Sequence, residues 1–316
     1  MNEGLRIRPL KSGPDDAEYL NIVNRIAREL PDETPITQDE LETRRTMPHY
    51  DPLGQFIAEL GGQAVGIGWG RMHPRDTNRV GWVSANVLPE FRRRHIGTAL
   101  AETALQGLRA RGVKKLISGA WESDPAGIAF LLSLGFQECR SESCMRRTLA
   151  QLPSGVGENT VVKIRETTLD DDDIQLTVDL INEAFKEDWN FVPVTAEGRR
   201  IRAAKLAEEG GVLQTWVAAL EGRPVGMVQA RISPREIAAL KVQRGTLLGL
   251  CVLKPFRQQG IAAALMIHGL EFLKARGMAE AELDVDNSNP ARALDIYHKL
   301  GFEVVRRYLN YEKAVS

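Results

Sequence analysis

Residues 257–262 read Arg-Gln-Gln-Gly-Ile-Ala and stand between an apolar run ending at Val252 and the start of a helical pattern. The first backbone N–H groups of such a helix have no intrahelical partners and carry the positive end of its dipole, so the turn can hold a pyrophosphate. Gly260 lets the backbone approach an anion closely, the small Ala262 and Ala263 keep bulk out of its way, and Arg257 adds a full charge. Taken alone the pattern also fits an ordinary glycine helix start. No G-x-x-x-x-G-K-[ST] loop occurs, and no G-x-G-x-x-G follows the first strand. Further on, Asn-Pro-Ala-Arg-Ala-Leu-Asp-Ile-Tyr-His-Lys-Leu-Gly-Phe places Tyr297 four residues before Gly301. A phenol near pKa 10 stays protonated at neutral pH and can donate to a leaving group; an aromatic that only packs is the alternative.

Glu282, Asp284 and Asp286 alternate with Leu283 and Val285, so three carboxylates share one strand face. They form either a solvated outer face or a proton acceptor acting through ordered water. His268 recurs with Ile261, Leu265 and Phe272 at helical spacing and reads as a packed helix residue rather than a ligand. Phe185-Lys186-Glu187-Asp188-Trp189-Asn190-Phe191 combines aromatic walls with acidic groups, which suits entry of a cationic amine and suits equally a helix end closing over the core.

The elements that must position these groups occur twice. AELGGQAVG from Ala58 returns 160 residues later as AALEGRPVG, and VLPEFRRRHIGTAL around Arg92 returns 165 residues later as VLKPFRQQGIAAAL. LRARG returns as LKARG, and LGF ending at Phe136 returns ending at Phe302. Four matches in one order indicate two copies of one domain, residues 1–150 and 161–316, joined by a Pro-, Ser- and Gly-containing linker at 151–160. Each copy reads as a strand (Leu5–Leu10; Val161–Glu166) and a helix with acidic residues at its start. A second helix (Thr37–Thr46; Thr195–Glu209) and two strands around a tight turn follow. Then come a strand ending at Val87 or Val252, the arginine turn, a helix to about Arg111 or Arg276, strand, helix, LGF and a terminal strand pair. The class is α/β in layers (α+β), with a mixed, mostly antiparallel sheet flanked by helices on both faces in each copy.

The turn, the preceding strand end, the tyrosine and LGF together resemble the GNAT superfamily of N-acetyltransferases in its tandem, two-domain form. The resemblance covers nearly the whole chain, twice. It implies that acetyl-CoA is the co-substrate, with its pyrophosphate on Arg257, Gln258, Gln259, Gly260, Ile261, Ala262 and Ala263. It implies further that the pantetheine arm pairs with Leu250, Cys251 and Val252, that Asn289 contributes to the cofactor site, and that Gly245–Val252 and Glu280–Asp286 splay apart to admit the thioester. Leu250 would polarise the thioester carbonyl through its N–H, and Tyr297 would protonate the departing thiolate. Thr246 stands where some members carry a glutamate base, and a threonine cannot serve as that base.

The first copy carries the corresponding cofactor positions Val87, Arg92, Arg93, Arg94, His95, Ile96 and Gly97, with His95 in place of the glycine and Leu131 in place of the tyrosine. Its three arginines could draw CoA phosphates or form an exposed basic helix start; His95 is a phosphate neighbour or surface imidazole more readily than a catalyst. The resemblance therefore implies an acetyl-CoA-dependent N-acetyltransferase acting on a primary amine of a small molecule or peptide. Chemistry falls to the second copy, while the degenerate first copy pairs with it inside the chain. A non-catalytic acyl-CoA-binding or regulatory protein is the alternative.

Composition agrees with an ordinary globular chain: 316 residues, 43% hydrophobic and 26% charged. Forty-one basic against 42 acidic residues give a formal charge of −1, which provides no global field for nucleic acid or anionic membrane. Three unevenly spaced cysteines fit neither a disulfide framework nor a four-thiolate zinc site, so no metal is expected and a reducing cytoplasm is the simpler setting. The start of the chain lacks the apolar stretch of an export signal, and no run of about 18 apolar residues occurs.

Overall fold

The computed structural model describes residues 4–74, 79–153, 161–288 and 293–315. Most of the expected linker, residues 154–160, and Asn289 lie outside the described residues. The chain forms two compact units: Met1–Arg140 with Tyr308–Ser316, and Ser141–Arg307.

In the first unit the order is β1 (Leu5–Pro9), α1 (Asp16–Ala27), α2 (Gln38–Arg45), β2 (Gln55–Leu60), β3 (Gln63–Met72), β4 (Val80–Val87), α3 (Ile96–Ala110), β5 (Lys115–Trp121) and α4 (Pro125–Ser133). The strand β6 (Gln137–Thr148) follows. The second repeat then gives β7 (Lys163–Glu166), α5 (Asp171–Phe185), α6 (Ala196–Glu208), β8 (Val212–Leu220), β9 (Arg223–Ile232) and α7 (Pro234–Leu240). It ends with β10 (Arg244–Val252), α8 (Ile261–Ala275), β11 (Glu280–Asp286), α9 (Ala293–Lys299) and β12 (Glu303–Ala314).

The sheet of the first unit runs β1-β2-β3-β4-β5, and Tyr308–Ala314 of β12 then pairs antiparallel with β5. That of the second runs β7-β8-β9-β10-β11, with Glu142–Thr148 of β6 antiparallel to β11. Only β4–β5 and β10–β11 are parallel. The sequence suggested a terminal strand pair in each copy; each copy instead ends in one strand of 12 residues. The reason is visible in QECRSESCMRRT and EVVRRYLNYEKA, which contain neither the Gly nor the Pro that a tight reversal favours. Each unit thus takes its last strand from the other repeat.

Helices cover both faces. A Cβ on Gly70 would lie 3.0 Å from Leu108 Cδ1, so α3 sits directly on β3, while Ile22 of α1 joins Ile57, Ile67 and Leu88 in a cluster on the opposite side. In the second unit a Cβ on Gly245 would stand 2.3 Å from Leu273 Cδ2 of α8, and Leu180 and Ile181 of α5 pack with Val217, Met227 and Cys251. Side-chain caps open α2, α6 and α5: Thr37 accepts from the Glu40 N–H, Thr195 from the Gly198 N–H and Asp170 from the Asp173 N–H. No described helix is long and apolar enough to cross a membrane.

Candidate active site

The turn before α8 has the geometry its sequence requires. Gly260 is left-handed at φ 77° and ψ −2°, and Gln258 precedes it at φ 63°. Ile261, Ala262 and Ala263 open the helix, where backbone N–H groups have no intrahelical carbonyl to meet. Arg257 is not a free charge above this seat. Its Nε donates to the Val252 carbonyl at 2.9 Å and its Nη2 to the Ala184 carbonyl at 3.3 Å, which fastens the end of β10 to the turn.

The first unit builds the same path with other residues. His95 adopts φ 57° and ψ 10°, Arg93 has φ 63°, and Arg92 Nε donates to the Val87 carbonyl at 3.0 Å while Nη2 reaches Glu29 at 2.6 Å. Arg94 lies over the Phe91 ring at 5.6 Å. Ile96 is buried, and Gly97 leaves room for Phe130, whose Cζ would be 3.3 Å from a Cβ there.

Both units open a cleft between their parallel strands. β4 pairs with β5 only over Val80–Trp82, and β10 with β11 only over Arg244–Thr246, so the strands part beyond Trp82 and Thr246. Here the units diverge. β4 pairs with β3 in unbroken register from Gly81 to Val87. β10 slips against β9 between Leu248 and Cys251, so that Gly249 and Leu250 oppose one residue of the partner. Gly249 holds φ 58° at this bulge. A bulge releases a strand residue from the ladder and re-aims it. Gly249 was not singled out by the sequence reading, although an isolated glycine in a strand is the signal for a bulge.

The side chains that could move protons lie on opposite faces of β11. Tyr297 is 7% exposed and belongs to the apolar cluster containing Val252, Ile261, Leu283, Val285 and Phe302, against which Leu250 also packs. Its ring meets Phe302 edge-on at 6.1 Å, and burial pushes the phenol's pKa up. On the opposite face Glu282 is held by Arg146 at 2.5 Å and Arg244 at 3.5 Å. Asp284 reaches the surface of that face beside Cys144, its register partner on β6. Lost hydration, then the charge of Glu282, raise its pKa, while Arg306 and Cys144 pull it back. Cys144 is itself pushed up to about 12, mainly by burial, and the buried Cys251 thiol likewise. Asp286 accepts from the Ser288 N–H. Arg146 and Cys144 come from the first repeat, and only the exchange of strands brings them here.

Other singled-out residues stand apart from proton transfer. Thr246 accepts a long 3.4 Å bond from Arg231, which also binds Glu236. His268 Nδ1 meets the Ala264 carbonyl one turn back at 2.9 Å, as a helix residue does. In 185–191 the rings of Phe185 and Phe191 meet at 6.0 Å, tilted by 40°, both beside the α5 cluster, and Glu187 pairs with Lys254. Among the described residues no group of three His, Cys, Asp or Glu is placed to hold a metal ion.

Comparison with known proteins adds an independent observation. Residues 23–136 and 174–302 each match the acetyltransferase (GNAT) family. A mycothiol acetyltransferase of Thermobispora bispora is 30% identical over 151 residues, 46% of this chain and 51% of that protein. That of Streptomyces griseus is 30% identical over 137 residues, 43% and 44% of the two chains. The chain thus spans about half the length of the curated relatives it matches. Among solved structures, a GCN5-related N-acetyltransferase from Sphaerobacter thermophilus superposes with a TM-score of 0.70 at 21% identity, covering 99% of this chain and 96% of that one. A tandem GNAT protein from the clavulanic acid biosynthesis pathway gives 0.73 at 17% identity, covering 98% of each.

Proposed function

The chain belongs to the acetyltransferase (GNAT) family, and from that premise we propose that it transfers the acetyl group of acetyl-CoA to a primary amine, with the chemistry in the second repeat, 161–316. The observation that supports this reading is the bulge at Gly249–Leu250, which the β10–β9 pairing has and the matching β4–β3 pairing lacks.

In this reading the pyrophosphate sits on the N–H groups from Gln258 to Ala263, and the pantetheine arm runs along Leu250–Val252. The Leu250 N–H stabilises the oxyanion that forms as the amine attacks the thioester carbon. Asp284 accepts the ammonium proton, directly or through water. Collapse of the tetrahedral adduct breaks the C–S bond, and Tyr297 gives its proton to the thiolate. The raised pKa of Tyr297 suits this, since the phenol remains protonated throughout the working range. The first repeat, 1–150, is a worn copy: His95 places a side chain at the turn, Leu131 replaces the acid and β4 has no bulge.

Thiol release from acetyl-CoA by the full-length protein across a panel of amines tests this. Tyr297→Phe is expected to lower kcat by ~10- to 100-fold with acetyl-CoA affinity unchanged. Acetyl-CoA binding without thiol release on any amine would establish a non-catalytic acyl-CoA-binding protein instead.

A further inference from the structure

On the face of the second sheet covered by α5 and α6 lies a cleft lined by Thr167, Thr168, Asp173, Arg199, Leu213 and Thr215. Arg199, on the second turn of α6, is half-buried. Its surroundings strip water from the guanidinium and lower its pKa, Arg202 lowers it further, and no carboxylate offsets either. The acid of the cleft, Asp173, is already satisfied by Arg165 at 2.6 Å and the Thr168 N–H at 2.8 Å. No ion pair or hydrogen bond forms at the Arg199 guanidinium among the described residues.

The first unit shows what this position holds when it only packs. Thr37 and Thr195 cap α2 and α6 through the same bond, to the N–H three residues on. Four residues past each cap stand Leu41, 4% exposed, and Arg199. A leucine therefore fits this place in the fold, and an arginine costs desolvation that no carboxylate among the described residues returns. Such a residue marks a candidate binding site.

Two buried, hydrogen-bonded polar side chains stand between the cleft and the bulge. Gln229 Nε2 donates to Thr215 Oγ1 at 2.9 Å, Gln229 stands opposite Leu248, and its Oε1 lies 3.6 Å from where a Cβ on Gly249 would be. From Thr215 on β8 to Gly249 on β10 is two strand spacings, roughly 10 Å. In the first unit register places Trp69 where Gln229 stands, with the Arg71 guanidinium 5.0 Å from its ring.

We propose that Arg199 receives a compact oxyanion, carboxylate or phosphate, on the acceptor, so that the amine acetylated by this protein carries its negative group about two strand spacings from the reacting nitrogen. The inference rests on the acetyl-transfer reading for the identity of the ligand but not for the existence of the anion seat.

The test uses the full chain in two arms. Calorimetry compares 6-acetamidohexanoate, its carboxamide and inorganic phosphate; turnover compares 6-aminohexanoate, 6-aminohexanamide and an aminoalkyl phosphate of equal length. The wild type is expected to favour the charged member of each pair by at least ~10-fold, a difference of about 1.4 kcal/mol. The carboxylate and phosphate arms rank the two sources. Arg199→Leu should abolish the preference, leave acetyl-CoA affinity unchanged and raise Tm, because Leu41 shows that leucine packs there. Arg199→Lys should keep part of the preference and serves if the leucine variant does not fold. Equal affinity for charged and neutral ligands in the wild type, or a preference that survives Arg199→Leu, overturns the proposal. Preferential binding without turnover of any amine leaves the anion seat standing and removes the acetyl-transfer reading.

Discussion

The two units share a scaffold and differ at the points where chemistry would occur. Both bind the strand end to the turn through an arginine, Arg92 to Val87 and Arg257 to Val252, and both carry left-handed residues at the same two turn positions. Both part their parallel strands after three pairs. Yet the first unit has unbroken β4, Leu131 buried in place of Tyr297, and Gly119 in place of Asp284. At Gly119 a Cβ would stand only 2.4 Å from the Tyr308 ring, so a carboxylate there would have to displace that ring. The difference teaches that packing preserves the cleft, while the bulge, the glycine and the two side chains to which we assign reactivity can each be lost without unmaking the sheet.

The largest expected effect separates the two turns. In Gly260→Trp a side chain must adopt φ 77° and place an indole over the proposed anion seat. Acetyl-CoA affinity by calorimetry should fall ~100-fold, about 2.7 kcal/mol. His95→Trp, at the matching turn, already replaces one side chain by another and should change affinity and turnover less than ~2-fold. Equal losses in both variants would break the comparison and make the first unit a working cofactor site.

A second test sharpens the contrast between Asp284 and Gly119. Asp284→Asn should lower kcat/KM by ~100-fold and remove the acidic limb of the wild-type pH profile, since the carboxylate must ionise before it can take a proton. Stability should move the other way. The folded-state pKa of Asp284 is raised above the ordinary 3.8. Stability from the neutral form is thus fully present below 3.8 and is lost as pH rises through the folded value. At neutral pH Asp284→Asn should therefore melt above the wild type, and below pH 3.8 the two should converge. Unchanged melting at neutral pH together with unchanged kcat/KM would return Asp284 to the role of a solvated surface group.

Much of this contrast was legible in the residues. The repeat, the acidic helix starts, the glycine turn and the losses at His95 and Leu131 are local patterns, and local patterns survive in sequence. The bulge was half legible. Gly81 and Gly245 occupy matching places 164 residues apart, whereas Arg92 and Arg257 are 165 apart, and the extra residue is the bulge. A second task of Arg257 was not legible, because an arginine at a phosphate turn suggests a free charge, while a strand's last carbonyl competes for the same donor. The strand exchange could not be read at all. β6 and β12 alternate like any other strands, and which sheet they join depends on partners more than 100 residues away.

The smallest effect tests whether the first turn is strained but retained. His95 is exposed and holds φ 57°, a region that costs a side-chain-bearing residue ~1–2 kcal/mol. Glycine removes that cost but returns ~0.4–1 kcal/mol of backbone freedom to the unfolded chain. His95→Gly should therefore stabilise the protein by only about 0.5 kcal/mol, measured as a small rise in denaturant midpoint with unchanged slope. The same substitution makes the first turn match Gly260. It restores neither the bulge in β4 nor an acid at Leu131, so in a Gly260→Trp background it should recover some acetyl-CoA binding and no acetyl transfer. Recovered transfer in that double variant would mean that the glycine alone separates the two units, and that the bulge and the tyrosine do not carry the chemistry.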